Sequence, residues 1–94
     1  MKMVDRFVLI PELSPNDLCR FWDFVKVGPG GCMNWTGSLF DRRYGRFTIK
    51  AASYIASRVA YRIHTGLDPG EFYVCHECNN TFCVNPEHLF LGTN

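Results

Sequence analysis

The sequence predicts a small α+β domain, because two segments with helical periodicity flank a predicted β-hairpin along its 94 residues. The chain is 47% hydrophobic and 15% aromatic, which is enough for one core, and it is too short for two domains. A domain of this size buries little more than half of its unfolded surface and needs a further source of stability. The five cysteines can supply it, since an odd number in a reducing compartment favours metal ligation over disulfides.

The composition and the N-terminus exclude several classes of protein. No apolar run approaches membrane-spanning length, and the net charge of +1 argues against a disordered chain. The first ten residues are interrupted by Lys2, Asp5 and Arg6 and contain no small-residue cleavage site, so they do not resemble a secretory signal. We therefore expect one intracellular, cytoplasmic domain over residues 1–94 that has no membrane partner, with residues 1–15 as an N-terminal extension.

The first predicted element is a helix that begins at Ser14-Pro15. Apolar side chains then recur at helical spacing, at Leu18, Phe21, Trp22 and Val25. The run Gly28-Pro29-Gly30-Gly31 predicts that this helix ends before residue 28.

A β-hairpin is predicted next. Residues 32–36 and 44–50 are rich in aromatic and β-branched residues, and they flank a turn that contains Gly37, Ser38 and Asp41. In the second strand, alternation places Gly45, Phe47 and Ile49 on one face. The opposite face then carries Tyr44, Arg46, Thr48 and Lys50.

A second helix is predicted from Ala52 to Gly66. Its apolar stripe consists of Ala52, Ile55, Ala56, Val59, Ala60 and Ile63. Arg58 and Arg62 lie one turn apart on the same side of this helix. They are either solvated surface groups or part of a cationic surface shared with the preceding strand.

The basic residues are unevenly distributed. Between residues 42 and 67 there is no acidic residue and there are six basic ones, whereas the rest of the chain is acidic on balance. Such a segment is typical of a phosphate-binding face, although many charge clusters are only solvated surface. The six residues are Arg42, Arg43, Arg46, Lys50, Arg58 and Arg62.

The C-terminal segment, residues 72–94, predicts a zinc site. Cys78, Cys83 and His88 follow one another at five-residue intervals, so one loop can place them around a tetrahedral zinc ion. Either Cys75 or Cys32 can complete the site. The alternatives are a redox pair at Cys75 and Cys78, which lacks the surrounding βαβ pattern, and thiols that act only as small buried hydrophobes.

His76 is the histidine of this segment that is not among the predicted metal ligands. If residues 72–75 form a strand, His76 stands at its end beside the cysteines. A lone histidine is usually structural or merely exposed. A neutral imidazole held in this position can also act as a general base, since its unperturbed pKa is close to neutral pH.

The C-terminal residues resemble a known family. His76-x-Cys78, followed by Cys83-Val-Asn-Pro-x-His88-Leu-x-x-Gly-Thr, is similar to the HNH (ββα-metal) endonucleases, especially the zinc-bearing His-Cys box homing enzymes and related phage HNH proteins. The segments Cys32-Met-Asn-Trp-Thr-Gly, Tyr44-Gly-Arg-Phe and Arg58-Val-Ala-Tyr also resemble the family. The implied fold is a small zinc-stabilised ββα-metal domain in which a hairpin and two helices precede the motif.

The resemblance implies a metal-dependent DNA endonuclease of nicking or homing type, located in the host cytoplasm if a phage encodes it. His76 matches the general base that activates water, and Cys32 matches the distant fourth zinc ligand, which favours it over Cys75. Asn85 matches the asparagine that holds the loop and orients the histidine. Arg46, or else Arg43, is the candidate for contacting the scissile phosphate. Further phosphate contacts are expected from Arg42, Arg43, Lys50, Arg58 and Arg62.

One feature of the family is not matched. In the family, a helix after Gly-Thr presents a ligand for a catalytic Mg²⁺ or a similar divalent ion. Asn94 falls where that helix would begin. The final motif helix is therefore expected to be truncated, and Asn94 is a doubtful ligand. The implied partner is double-stranded DNA, with a homodimer left open. The alternative is a zinc-stapled DNA-binding module, or an impaired HNH domain, that does not cut.

Overall fold

The computed structural model describes residues 9–92 of the protein. The predicted α+β class is confirmed, since two helices and seven short antiparallel strands form this part of the chain. Residues 1–8 and Asn94 lie outside the described range, and so does most of the expected N-terminal extension. The elements are α1 (Pro15–Asp23), β1 (Val25–Val27), β2 (Met33–Trp35), β3 (Leu39–Phe40), β4 (Tyr44–Ile49), β5 (Ala52–Ile55), α2 (Ala56–Thr65), β6 (Tyr73–His76) and β7 (Leu89–Gly92), with 3-10 turns at Pro29–Gly31 and Pro86–His88.

Helix α1 begins where the sequence predicts. Ser14 caps it, because its hydroxyl accepts a hydrogen bond from the Asp17 N–H at 3.1 Å while the Asp17 carboxylate accepts one from the Ser14 N–H. The helix ends at Asp23, before the predicted fourth apolar position. The Phe24 carbonyl accepts hydrogen bonds from both the N–H and the hydroxyl of Thr36, each at 2.7 Å, which draws the next residues into β1.

The predicted hairpin is wrong in its pairing, although both of its strands exist. β2 pairs with β1, in a register that places Val25 opposite Trp35. β4 pairs instead with β3 and β5. The glycine-rich turn before Cys32 lets the chain reverse onto β1, and Lys50 and Ala51 both take left-handed conformations in the tight turn between β4 and β5.

The second helix begins later than predicted. Residues 52–55 form strand β5, whose last residue, Ile55, lies opposite Arg46. Helix α2 therefore starts at Ala56, and it ends before Gly66 as expected. The alternation predicted for β4 is confirmed, because burial alternates strictly along residues 44–49, with Arg46 exposed and Phe47 buried.

The core is built mainly from aromatic rings. Phe21, Trp35 and Phe47 are almost completely buried, and the Trp35 and Phe47 ring centroids lie 5.8 Å apart in an edge-to-face arrangement. Gly45 permits this packing, because a Cβ atom there would lie 2.6 Å from the Trp35 ring. Buried residues of α2, including Val59, close the core on its other side.

In the part of the chain that the structure describes, neither helix is long and apolar enough to cross a membrane.

Candidate functional site

Four side chains from distant parts of the sequence meet in one cluster. The ligand atoms of Cys32, Cys78, Cys83 and His88 all lie within 4.8 Å of one another. Three thiols and one imidazole are a donor set that suits a tetrahedral structural zinc ion. Cys75 is not part of this group, because it lies on β6 opposite Phe90. The cluster can therefore hold a structural metal, with Cys32 as the fourth ligand.

Backbone hydrogen bonds bring Cys32 to the C-terminal loop. The N–H of Trp35 donates to the Phe82 carbonyl at 2.8 Å, and the N–H of Val84 donates to the Met33 carbonyl at 2.7 Å. Asn34 and Cys83 form an antiparallel bridge between these bonds. The segment around β2 is thus joined to residues 82–84 independently of any metal, which holds Cys32 beside Cys83.

His88 faces the cluster with its Nδ1 atom. That atom lies 3.4 Å from Cys83 Sγ and 3.7 Å from Cys32 Sγ. The short turn Pro86–His88 sets this orientation, since the Asn85 side chain caps it by accepting from the Glu87 N–H at 3.0 Å. Sequence spacing identifies the histidine, but it cannot indicate which ring nitrogen points inward.

Asn85 connects the two halves of the site. Besides capping the turn, its side-chain N–H group donates to the Gly31 carbonyl at 2.7 Å, so it ties the glycine-rich turn to the C-terminal loop. Asn85 therefore holds the C-terminal loop against the glycine-rich turn.

The surroundings of the cluster shift the pKa values of two of its thiols in opposite directions. Burial acts to raise the pKa of Cys32, but hydrogen bonds from Asn80 and from the other cluster members outweigh burial and lower it. Burial raises the pKa of Cys83, and the neighbouring Cys32 and Cys78 raise it further. The thiols are therefore electrostatically coupled, since ionisation of one thiol disfavours ionisation of its neighbours.

His76 lies at the end of β6, two residues before Cys78 and opposite Leu89. Its Nε2 atom is buried and has no hydrogen-bond partner among the described residues. Burial lowers the pKa of His76, while the backbone of Cys83 acts in the opposite direction. The ring is therefore held neutral near pH 7, the form in which an imidazole can accept a proton.

A cavity of about 160 Å³ separates β4 and β5 from β6. Its walls include Tyr44, which is two positions before Arg46 on the same face of β4, and Ile55, which pairs with Arg46 across the sheet. They also include Val74, two positions before His76 on β6. The strand neighbours of both predicted catalytic side chains thus line one cavity. Arg46 itself is exposed, with its guanidinium carbon 5.6 Å from the centre of the Phe40 ring.

The other predicted DNA-binding residues fall into two groups. Arg42, Arg43 and Lys50 are exposed in the turns that flank β4, whereas Arg62 is half-buried and donates to the Gly66 carbonyl at 3.0 Å.

Arg58 corrects the expectation of a surface contact, because it is only 4% exposed. Its guanidinium donates to the carbonyls of Phe72 and Gly70 at 2.7 and 2.8 Å. It therefore holds the loop before β6 in place and does not lie on the surface.

Sequence reasoning missed one residue of the site, Asn80. Its side chain joins the cysteine loop to β2 by donating to Asn34 Oδ1 at 2.6 Å. The sequence does indicate a turn at this position, since asparagine between two cysteine ligands is a typical turn residue. The sequence does not show that its amide reaches across to β2.

One family model and two phage proteins match the sequence of this chain. A model described as HNH endonuclease matches residues 54–94. The chain is similar to Protein 2.8 of Escherichia phage T7, at 32% identity over 69 residues, and to Protein 7.7 of the same phage, at 36% over 62 residues. These matches cover 73% and 66% of this chain, and the chain spans about half of the length of each relative, 48% in both cases. No solved structure matches it significantly. The part of the chain that matches the HNH endonuclease family, residues 54–94, thus holds His76 and three of the four cluster side chains.

Proposed function

We propose that this protein is a metal-dependent DNA endonuclease in which His76 is the general base. The observation that carries the proposal is the unpartnered Nε2 atom of His76, within the segment that matches the HNH endonuclease family. A buried polar atom without a partner is unusual in a folded protein and calls for an explanation, and a catalytic role is one. The lowered pKa of His76 is compatible with this role, because burial favours the neutral imidazole, whose free nitrogen lone pair can accept a proton.

Arg46 is proposed to contact the scissile phosphate. Its exposure on β4, and the cavity between its strand and the strand of His76, fit a phosphodiester that enters from the side of β4. A guanidinium can hold two phosphate oxygens at once and stabilise the charge that develops on them. The exposed Arg42, Arg43 and Lys50 would add contacts to flanking phosphates, which gives salt-dependent affinity without base recognition.

Two kinds of metal enter the proposal. The thiol-rich cluster suits zinc, which would link residue 32 to the loop of residues 78–88. A Mg²⁺-like ion takes oxygen ligands, so this cluster is not its site. When bound at the scissile phosphate, such an ion would supply charge neutralisation and polarise the phosphate for attack. Host-cell DNA or phage DNA in the cytoplasm would be the substrate.

A second candidate, a zinc-stapled DNA-binding module that does not cut, is favoured by the burial of His76. A general base must reach the attacking water, and the Nε2 atom is enclosed by the surrounding protein. In this alternative the basic surface around β4 binds phosphates while His76 only fills space beside Cys83.

Nicking of supercoiled plasmid separates the two candidates. The full chain, loaded with zinc, is incubated with plasmid in Mg²⁺ or Mn²⁺, and the matched variants are His76→Ala and His64→Ala, the latter on an exposed helical position. Nicking that is lost in His76→Ala and kept in His64→Ala supports the endonuclease. DNA binding without nicking in either ion supports the binding module.

A further inference from the structure

Asn80 contacts two cysteines of the metal cluster and reaches the strand beside the third. Its backbone carbonyl accepts a hydrogen bond from the N–H of Cys83 at 3.0 Å and lies 3.9 Å from Cys78 Sγ. Its side chain donates to Asn34 Oδ1 at 2.6 Å, and Asn34 stands in β2, two positions after Cys32. A single residue between two of the ligands in sequence is therefore also joined to the strand that follows the third.

The side-chain amide of Asn80 is fixed on both sides. Its Oδ1 atom accepts from the Phe82 N–H at 3.0 Å, and its Nδ2 atom donates one hydrogen to Asn34 Oδ1 at 2.6 Å. These partners define the orientation of the amide, because a flip would bring its oxygen against Asn34 Oδ1 and its NH₂ against the Phe82 N–H.

Asn34 in turn has a defined place. It lies in β2, between Met33 and Trp35, whose backbones bond to residues 82–84, and it forms the bridge opposite Cys83. A Cβ atom at Gly28 would lie 2.6 Å from Asn34 Nδ2, so the amide of Asn34 packs directly against the glycine backbone. Asn34 therefore offers Asn80 an acceptor whose position is set by β2 and by the preceding turn.

We propose that Asn80 is a positioning residue that holds the loop of Cys78 and Cys83 against β2, beside Cys32, before a metal ion binds, with Asn34 as the acceptor that fixes its amide. Groups that hydrogen-bond to metal ligands fix their orientation and tune their donor strength, and their loss typically lowers metal affinity by about 10- to 100-fold. The proposal concerns metal affinity only, so it does not depend on whether the protein cuts DNA.

Asn80→Asp is the sharpest test, since Asp has the same shape and keeps an acceptor for the Phe82 N–H. It removes the amide donor and turns a carboxylate oxygen toward Asn34 Oδ1. Asn79→Asp is the matched control, because Asn79 is the exposed neighbour and the charge change is the same. Its left-handed conformation, with φ of 60°, is one that Asp tolerates.

Zinc affinity of the full chain is measured by competition with a chromophoric chelator. We expect Asn80→Asp to bind zinc about 10- to 100-fold more weakly, and Asn79→Asp to bind within about threefold of the unaltered protein. The cobalt(II)-loaded Asn80→Asp protein should also show a weaker sulfur-to-metal charge-transfer band, which reports directly on the thiolates. Equal zinc affinity in Asn80→Asp and the unaltered protein, or an equal loss in Asn79→Asp, would overturn the proposal.

Asn34→Leu keeps the test decisive if Asn80→Asp does not fold at saturating zinc. Leu has nearly the shape of Asn but accepts no hydrogen bond, so the Asn80 amide loses its anchor and keeps its own donors. We expect a loss of zinc affinity of about tenfold, at the lower end of the same range. Unchanged affinity in Asn34→Leu would contradict the assigned role of Asn34 and, with it, the fixed amide.

Discussion

Replacement of Cys32 by serine should uncouple zinc binding from the folding of the domain. In the variant, a zinc ion held by Cys78, Cys83 and His88 would bridge only one short loop. In the unaltered protein, such an ion would also bridge Cys32 and His88, which are 56 positions apart in sequence. Closing a loop of that length removes about 4 kcal/mol of chain entropy from the unfolded state, if the metal is treated as a fixed cross-link.

The assay is urea unfolding of the full chain, with and without saturating free zinc. We expect zinc to raise the free energy of unfolding of the unaltered protein by about 4 kcal/mol more than it raises that of Cys32→Ser, a difference equivalent to about 10³-fold in apparent zinc affinity. Cys75→Ser is the control, since Cys75 lies outside the cluster. If zinc stabilises Cys32→Ser as much as the unaltered protein, Cys32 does not cross-link the domain and the ligand assignment fails.

Three further changes test the fold by urea unfolding. Ser14→Ala removes the cap of α1 and should cost about 1 kcal/mol. Gly45→Ala should cost about 1–3 kcal/mol, because the new methyl group would lie 2.6 Å from the Trp35 ring, and little or no loss would show that the ring can move aside. Arg58→Met should cost about 1–3 kcal/mol, because it leaves the Gly70 and Phe72 carbonyls without their donor. An unchanged free energy of unfolding would contradict a buried, hydrogen-bonded Arg58.

Local chemistry accounts for the parts of the fold that were predicted correctly. Ser14-Pro15 is a complete helix-start signal, and the predicted end of α2 before Gly66 rests on a glycine that takes the left-handed conformation. The alternation in β4 follows from its own six residues, since neighbouring side chains in a strand must point to opposite faces. Each of these features depends on residues that are only a few positions apart in sequence.

The errors concern partners that lie far apart in sequence. Strand composition identifies β2 and β4, but it does not indicate which strand each of them pairs with. Residues 52–55 have the apolar spacing of a helix, but they form strand β5 because they pair with β4. Arg58 has the pattern of a surface residue, and only the loop before β6, which folds over it, makes it a buried donor. The cysteine spacing left the choice between Cys32 and Cys75 open, and the packing of β2 against residues 82–84 decides it.

Backbone hydrogen bonds join the metal cluster to the strand of the proposed base, whereas the sheet with the proposed phosphate-binding surface meets the cluster segment through the aromatic core. His76 pairs with Leu89, and the next residue, Glu77, donates its N–H to the His88 carbonyl at 2.8 Å, so a metal-bound His88 would hold the strand that presents the base. The sheet β3-β4-β5, which carries Arg46, contributes no ligand to the cluster. Gradual removal of zinc by a chelator should therefore abolish plasmid nicking at a metal content where salt-sensitive DNA binding persists. Parallel loss of nicking and binding would mean that the cluster holds the whole domain together and not the base alone.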